Sequence, residues 1–243
     1  MKIYLCPSPE LYALYHRPGA SVIITDIYRA STTITTALEN GAQRMLPVAT
    51  IEECQEIGES LGYLMAAERN VLRCPFAQLG NDPLAYTPEL VAGKTIVITT
   101  TNGTRSLAIA REAGASEILI GSFRNLPRTL EYLHGRGCTE VVVLAAGWRG
   151  QVSTEDSLYA GALAARAQSL GYGEPVGDAA VMITSLWTAY CQDPSGRLDY
   201  IRSAEHYQRL AKAGHLDAVA YCLEESDAPA IRLEEDGYLY PIL

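Results

Sequence analysis

The chain has 243 residues, which is enough for one large α/β domain or two smaller ones. Hydrophobic residues make up 48% of it, so a substantial core can be buried. Nineteen basic against twenty-eight acidic residues give a formal net charge of -9. This balance argues against nucleic acid and anionic membranes as partners, because both attract a basic face, but a local group of arginines could still bind a small anion.

The cysteines and the N-terminal segment indicate the compartment. The chain has 6 cysteines, and since none forms a CxxC pair, we expect reduced and mostly buried thiols. Residues 1–15 contain one lysine, two prolines and Glu10, so no signal peptide is expected. The uncharged apolar stretch 179–192 is shorter than the roughly 20 residues that a bilayer requires. We therefore expect a soluble, cytoplasmic protein without a membrane partner.

Strands and helices alternate along the first part of the chain. Strands are predicted at 1–6, 21–25, 44–48 and 62–67, and helices at 32–39 and 51–61. Asn40 and Gly41 are typical of a glycine cap that closes the first of these helices. Residues 71–90 contain three prolines and show no clear period. They are predicted to form a long loop, and long loops inside compact domains often carry function.

The alternation continues after this loop. Strands are predicted at 95–99, 117–120 and 140–145, and helices at 105–112, 126–134, 154–170, 178–190 and 203–213. A short element at 216–223 is followed by a charged tail. The pattern favours an α/β fold with three layers, α/β/α, around a mainly parallel sheet. We predict a single domain over 1–243, and two similar subdomains with a boundary near 125–140 are the alternative.

One unit of strand, hydroxyl cluster, helix and strand occurs twice. Glu39-Asn40-Gly41-Ala42 follows the helix of the first copy, and Glu112-Ala113-Gly114-Ala115 stands at the matching place of the second. One interpretation is an internal duplication of βα units. The alternative is chance similarity between two ordinary βα units.

Polar clusters follow four of the predicted strands, at 26–33, 68–70, 99–104 and 148–156. In an open parallel sheet, ligands bind beyond the carboxyl ends of the strands, so we expect the four clusters to meet at one edge. Carboxylates with few histidines suit magnesium rather than zinc. Arginines and helix N-termini suit phosphate or sulfonate. Together they predict a site for metal-assisted phosphoester chemistry.

Each cluster also has a purely structural interpretation. Asp26 could only cap the following helix, and Ser153 with Asp156 fits a capping box. The segment 99–104 could be a helix start with a tight turn, and Glu68 with Arg69 a surface ion pair of little value. The functional interpretation depends on all four clusters lying at strand ends. The four histidines, at 16, 134, 206 and 215, are far apart in sequence and are expected to be ordinary surface or core residues.

Six blocks of the chain, taken together, resemble one known family over nearly the whole length. They are Asp26-Ile27-Tyr28-Arg29-Ala30-Ser31-Thr32-Thr33, Glu39-Asn40-Gly41-Ala42, Ala67-Glu68-Arg69, Gly80-Asn81-Asp82-Pro83, Thr99-Thr100-Thr101-Asn102-Gly103-Thr104, and Ala146-Gly147-Trp148-Arg149-Gly150 with Glu155-Asp156. The family that they resemble is that of the 2-phosphosulfolactate phosphatases, the ComB-type proteins. Ala67 stands where the family has glycine, and Asp82 stands where it has serine. An acid at position 82 could join a metal shell or weaken anion binding, which leaves the substrate open.

The resemblance implies a Mg²⁺-dependent phosphatase that hydrolyses 2-phospho-3-sulfolactate to 3-sulfolactate and phosphate, a step of coenzyme M biosynthesis. We predict that Asp26, Glu68 and Asp156 hold the metal, with Glu155 as the alternative to Asp156 or as the general base. Predicted substrate-binding residues are Arg29, Thr32, Arg69, Asn81, Thr101, Asn102, Gly103, Thr104 and Arg149. A non-catalytic module that binds a phosphorylated or sulfonated metabolite is one alternative, and a phosphatase of another small phospho-hydroxy acid is a second. A homodimer is compatible with such an enzyme.

Overall fold

The computed structural model describes residues 1–69, 72–100 and 103–242. Over these residues the strands are β1 (Lys2–Cys6), β2 (Ser21–Thr25), β3 (Arg44–Pro47), β4 (Leu64–Arg69), β5 (Leu72–Arg73), β6 (Thr95–Thr99), β7 (Glu117–Gly121), β8 (Glu140–Ala145), β9 (Glu174–Pro175), β10 (Ala230–Leu233) and β11 (Leu239–Ile242). The helices are α1 (Tyr12–Tyr15), α2 (Ala30–Glu39), α3 (Ile51–Leu61), α4 (Pro88–Val91), α5 (Gly103–Glu112), α6 (Leu126–Gly135), α7 (Thr154–Ser169), α8 (Asp178–Leu186), α9 (Pro194–Ile201), α10 (Glu205–Lys212) and α11 (Leu216–Cys222). Shorter 3₁₀ turns occupy Pro9–Leu11, Pro83–Ala85 and Phe123–Asn125, and a π-helical turn, Trp187–Cys191, follows α8.

All of these strands join in one open sheet. Their order is β5-β4-β6-β3-β11-β10-β7-β2-β8-β1-β9. Most of the pairings among the described residues are parallel, which confirms the predicted mainly parallel α/β architecture. In the centre, Ile23 of β2 lies between Leu119 of β7 and Val143 of β8. The apolar run of β2 is explained by this position, because a central parallel strand is buried on both faces.

Two helical layers cover the sheet, because successive side chains of a strand point to opposite faces. Ile23 and Val143 belong to an apolar core that includes residues of α6 and α7. Ile24 and Leu144 belong to a second core that includes residues of α2 and α5. The predicted three layers are therefore confirmed. Over the described residues, no helix has the length and apolarity needed to cross a membrane. All the cysteines are free, and all but the half-buried Cys138 are buried, as predicted.

The sheet consists of two parallel halves that run in opposite directions. Strands β7, β2, β8 and β1 form one half, and β4, β6 and β3 form the other. The β10–β11 hairpin lies between them and pairs antiparallel with both β7 and β3. The four clusters, which were expected to meet at one edge of a parallel sheet, therefore follow strands of opposite directions, two clusters in each half. Neighbouring strands rotate by about 20–25°, so the five steps from β6 to β2 accumulate on the order of 100°, which can turn the two sets of strand ends toward each other.

The chain crosses between the two halves twice. The unit β2–α2–β3 leads from the first half to the second, and the unit β6–α5–β7 leads back. Since β2 pairs with β7 and β3 pairs with β6, the two units exchange partners reciprocally. These are the two units whose patterns match in the sequence. Their origin by duplication stays a prediction, and so does the division of the chain into one domain or two subdomains.

Three sequence-based assignments are wrong. The charged tail contains the hairpin β10–β11, which lies in the middle of the sheet and turns at Gly237 with φ 86°. Its two strands are difficult to predict from the sequence, because each is short and an acidic turn separates them. The strand predicted to end at Ala67 continues to Arg69, where it forms a hairpin with β5 in which Glu68 pairs with Arg73. The loop 71–90 accordingly contains β5, a 3₁₀ turn and α4.

Candidate active site

The loop between β2 and α2 carries the first polar cluster. Asp26 is 7% exposed and Arg29 is 3% exposed. The Asp26 amide donates a hydrogen bond to Ser31 Oγ (2.9 Å), and the Ser31 amide donates to the Asp26 carbonyl oxygen (2.8 Å). The Tyr28–Arg29 peptide bond in this loop is cis. The loop thus holds an acid and a guanidinium inside the protein at the beginning of α2.

The beginnings of α2 and α5 are in direct contact. A Cβ atom built on Gly103 would lie 3.2 Å from Ala30 Cβ, 3.2 Å from Thr100 Oγ1 and 3.5 Å from Asp26 Oδ2. Glycine at position 103 leaves room for the two helix starts to approach each other closely. This contact brings the clusters that follow β2 and β6 together, although the two strands belong to opposite halves of the sheet.

Asp156 connects the cluster after β8 to the same place. Its Oδ1 accepts a hydrogen bond from the Ile27 amide (2.7 Å), and its Oδ2 accepts one from the Gly147 amide (3.1 Å). Ser153 is the N-cap residue of α7, but its side chain makes no capping hydrogen bond, and its Oγ is buried without a partner. The capping-box interpretation is therefore wrong, since Asp156 points its carboxylate across to the β2–α2 loop.

The buried acids raise one another's pKa. Burial raises the pKa of Asp26 to about 6, with smaller contributions from the charges of Glu155 and Glu68, while His206 and the Ala30 amide act in the opposite direction. Burial, followed by the charges of Glu155 and Asp26, raises the pKa of Asp156 well above its usual range. Such mutual repulsion among carboxylates marks a site with excess negative charge, which a cation would relieve.

Arg29 and Arg69 differ in how many of their guanidinium nitrogens form hydrogen bonds within the protein. Arg29 Nη1 is buried and has no hydrogen-bond partner among residues 1–69, 72–100 and 103–242, and it lies 4.0 Å from Asp82 Oδ2. The same Asp82 oxygen lies 3.9 Å from His215 Nδ1. Arg69, in contrast, donates from Nη1 to the Glu68 carbonyl oxygen (2.7 Å) and from Nη2 to Thr99 Oγ1 (3.2 Å). Arg29 is therefore the more available of the two for an anion.

The fold brings two histidines to the site that were expected to be ordinary surface or core residues. His206 on α10 places Nδ1 2.6 Å from Glu155 Oε1, and the Glu155 side chain is 1% exposed. His215, just before α11, faces Asp82. Both lie more than fifty residues from their partners along the chain, so no spacing pattern could have revealed them. The other oxygen of Glu155, Oε2, is buried without a partner.

Comparison with known proteins identifies the family. A family model described as 2-phosphosulpholactate phosphatase matches residues 6–236. The chain belongs to this family. The "Probable 2-phosphosulfolactate phosphatase" of Thermotoga maritima is 35% identical over 205 residues, which cover 84% of this chain and 85% of that protein.

Two further relatives carry the same description. The protein of Caldanaerobacter subterraneus subsp. tengcongensis is 34% identical over 206 residues, covering 84% of this chain and 83% of its own length. The protein of Synechocystis sp. is 34% identical over 228 residues, covering 93% and 92%. The predicted resemblance is thus confirmed, and so is the enzyme class, a phosphoric monoester hydrolase that acts on a small phosphorylated compound.

In this member of the 2-phosphosulpholactate phosphatase family, the carboxylates of Asp26 and Asp156 are suitable ligands for a hard divalent cation, because such cations prefer carboxylate oxygens. The described residues contain no group of three or more His, Cys, Asp or Glu side chains already placed to hold a metal ion. Asp156 accepts two backbone hydrogen bonds, and Asp26 accepts one from Ala30. A metal would therefore have to draw the carboxylates closer together.

The remaining predicted binding residues differ in their surroundings. The hydroxyls of Thr32 and Thr104 donate to the carbonyl oxygens of Ile27 (3.0 Å) and Thr100 (2.8 Å), so both serve the loop structure. Asn81 is 8% exposed, and its buried Oδ1 has no partner in the part of the chain that the structure describes, which makes it a candidate to bind a ligand. Arg149 is exposed and lines a separate cavity. The predicted residues Thr101 and Asn102 lie outside the described residues.

Proposed function

We propose that this chain hydrolyses 2-phospho-3-sulfolactate to 3-sulfolactate and phosphate, with Mg²⁺ as cofactor. The observation that carries the proposal is that the buried carboxylates Asp26 and Asp156 come together at the β2–α2 loop, which also holds the buried Arg29. Among the described residues, Arg29 Nη1 has no hydrogen-bond partner. An excess of acid near a buried guanidinium fits a phosphoryl group that arrives with a divalent cation. The descriptions of the family and of its relatives support the substrate.

In this proposal Mg²⁺ is held by Asp26, Asp156 and Glu68, with Glu155 as the alternative ligand. When bound, the metal supplies positive charge to the phosphoryl oxygens. Arg29 binds a phosphoryl oxygen through Nη1, and the guanidinium of Arg69 borders the same site. Since Asp26 and Asp156 repel each other, the site is most stable when a cation compensates their charge.

The Glu155–His206 pair suits the role of general base. Glu155 is held at Oε1 by His206 Nδ1, and its Oε2 has no partner within the described part of the chain. Water would lose a proton to this pair as its oxygen attacks phosphorus. The ester P–O bond then breaks, its electron pair leaves with the sulfolactate oxygen, and that oxygen takes up a proton. In this proposal water attacks phosphorus directly, and no covalent phospho-enzyme intermediate forms.

We further propose that the enzyme takes part in coenzyme M biosynthesis and acts in the cytoplasm. The free cysteines support a reducing compartment. A phosphatase of another small phospho-hydroxy acid is the second candidate. The closeness of Asp82 to Arg29 favours it, because a carboxylate beside the anion site disfavours a substrate with several negative charges.

The deciding experiment measures phosphate release from 2-phospho-3-sulfolactate with Mg²⁺ and after its removal by EDTA. We expect activity that requires the metal and that falls at least about a hundredfold in Asp26→Asn, a loss of the size typical for a group that contributes to transition-state binding. Asp227→Asn removes a carboxylate whose side chain is 83% exposed and should retain wild-type activity. Release that is indifferent to both metal and Asp26 would refute the mechanism, and binding without any release would support the non-catalytic module instead.

A further inference from the structure

A cavity of about 510 Å³ lies beside the acid site. Its walls are the loop from Trp148 to Glu155 and the polar face of α10, which presents Glu205, His206 and Arg209. The volume falls in the range of small-ligand pockets, roughly 300–1,000 Å³. Glu155 belongs both to this cavity and to the acid cluster, since its charge contributes to the raised pKa of Asp26 and Asp156. A ligand could therefore extend from one into the other.

Arg209 is a half-buried cation that forms no ion pair within the described part of the chain. Its Cζ lies 3.9 Å from the centroid of the Trp148 ring, and its Nε is buried without a hydrogen-bond partner. Burial lowers the pKa of Arg209, the charges of Glu205 and Glu155 oppose this effect, and the charge of Arg149 adds to it. Stacking on the indole ring offsets only part of the cost of burying a guanidinium.

A second guanidinium stands on the same ring. Arg149 Cζ lies 5.3 Å from the Trp148 centroid, and Arg149 has φ 50° between two glycines that also have positive φ, Gly147 and Gly150. The ion pairs found among the described residues include neither Arg149 nor Arg209. The charges of Glu205 and Glu155 offset part of the charge on Arg209. Two guanidiniums on one aromatic ring beside a cavity still favour an anionic ligand.

We propose that Arg209 and Arg149, arranged on Trp148, bind the sulfonate of the substrate and so select a sulfonated phosphoester. This inference rests on the proposed function, in which phosphorus lies among Asp26, Asp156 and Arg29 and the other end of the molecule reaches past Glu155. Two guanidiniums present several donors to an oxyanion whose oxygens accept in several directions. Ser153, whose buried Oγ has no partner, lines the same cavity and offers one more donor.

The test compares two substrates that differ in one group. 2-Phospho-3-sulfolactate carries a carboxylate and a sulfonate, whereas 2-phospholactate carries the carboxylate alone. We expect Arg209→Gln and Arg149→Gln each to lower the ratio of kcat/KM for the first over the second by about tenfold, mainly through KM, as for the loss of a hydrogen bond to a charged group. Arg202→Gln removes an exposed arginine that pairs with Asp199 (2.9 Å) and should leave the ratio unchanged.

A ratio that stays within about twofold of wild type in both variants would overturn the sulfonate subsite, whatever the loss in overall activity. An equal loss on both substrates would assign Arg209 to the carboxylate and would also overturn it. If Arg209→Gln fails to fold, Arg209→Lys replaces it, since it keeps the charge and loses the planar fork.

Binding separates this proposal from the proposed function. If the wild type hydrolyses neither substrate, the phosphatase proposal fails, and the subsite is then decided by calorimetric titration with 3-sulfolactate and with lactate. Tighter binding of 3-sulfolactate by the wild type, lost about tenfold in the Arg209 variant, supports the subsite. Equal binding of the two compounds refutes it. Emission from Trp148, isolated by replacing the other tryptophan with Trp187→Phe, gives an independent signal from the cavity.

Discussion

At the scale of single residues, the chemistry of the site follows from burial. Asp26 and Asp156 are each less than a tenth exposed, and they lie where the β2–α2 loop meets the β8–α7 loop. A carboxylate removed from water holds its proton more tightly, and neighbouring acids strengthen the effect. The fold therefore stores unfavourable electrostatic energy here, which a bound cation can release. Stability and metal binding should for that reason change together.

The first prediction concerns Asp26 and pH in the metal-free protein. Its pKa rises from 3.8 to about 6 on folding, so the folded state binds the proton more tightly than the unfolded chain. The contribution of this group to stability is complete below pH 4 and is lost as the pH rises through 6, by on the order of 3 kcal/mol. In EDTA, Asp26→Asn should therefore become progressively more stable than wild type between pH 4 and pH 8.

Urea unfolding at several pH values measures this difference, with Asp199→Asn as the control because that acid is exposed. Adding Mg²⁺ at pH 8 should stabilise the wild type and leave Asp26→Asn unchanged, since ligand binding to the folded state adds to stability. A difference between variant and wild type that stays flat across the pH range would contradict the raised pKa.

The second prediction concerns Asp82, which departs from the pattern of the resembled family. Its Oδ2 stands 4.0 Å from Arg29 Nη1, so it competes with an incoming anion. Serine would remove that charge and could still cap the following 3₁₀ turn, where Asp82 Oδ1 now accepts from the Leu84 amide (3.1 Å). We expect Asp82→Ser to lower KM for a phosphorylated, multiply charged substrate by about two- to tenfold.

Steady-state kinetics decides this prediction. Asp193→Ser serves as the control, because Asp193 is also a capping acid, at the start of α9, where it is exposed and accepts from the amides of Ser195 and Gly196. KM that is unchanged or higher in Asp82→Ser would mean that the acid helps to bind the substrate or its metal.

At the scale of elements, the site depends on how closely α2 and α5 approach each other. Gly103 and Ala30 touch where the two helices begin, and each helix starts from a different half of the sheet. The sequence pattern of neither helix predicts this contact. The contact exists because the two crossover units exchange halves and must pass each other.

The third prediction tests this contact with Gly103→Ala. The new methyl group would stand 3.2 Å from both Ala30 Cβ and Thr100 Oγ1, so these neighbours must give way by a few tenths of an ångström. We expect a loss of about 1–3 kcal/mol in the free energy of unfolding and a larger relative loss of activity. Gly135→Ala, at the end of α6 with no atom within 4 Å of the added methyl group, should be neutral or slightly stabilising. Equal behaviour of both variants in urea unfolding would show that the helix starts can move apart freely.

At the scale of the whole molecule, the C-terminal hairpin joins the two halves of the sheet. Strand β10 pairs with β7, and β11 pairs with β3 through Leu239 and Met45. Ile231 of β10 is fully buried in the core that also contains residues of α2 and α5. The two halves should therefore unfold together as long as the hairpin is in place.

The fourth prediction follows from this position. Ile231→Ala should cost about 2–5 kcal/mol, in the range for truncating a buried aliphatic side chain. Scanning calorimetry should show one transition for the wild type, and Val181→Ala, at an exposed position on α8, should leave it unchanged. Two resolved transitions in the wild type would instead support two subdomains that unfold independently.

Part of this architecture follows from local patterns in the sequence. The apolar runs of β2, β6 and β8 and the periodicity of α2, α3 and α6 depend on neighbouring residues alone, so they indicate an α/β sheet with helices on both faces. The acids and arginines at the strand ends were identified for the same reason. The hairpin β10–β11 was missed because its strands are short and are separated by an acidic turn.

What only the tertiary structure decided is which strand ends meet, and with which further groups. Sequence alone determined that Asp26, Glu68 and Arg69 lie at the ends of apolar runs and that Glu155 and Asp156 lie in the polar cluster that follows the apolar run 140–145, because these positions depend on neighbouring residues only. It could not reveal that the two halves of the sheet are antiparallel, since strand direction depends on long-range pairing through the C-terminal hairpin. Sequence alone also could not predict that His206 contacts Glu155 or that Arg209 stacks on Trp148, because each contact joins residues more than fifty positions apart. Both contacts form because α10 packs against the β8–α7 loop.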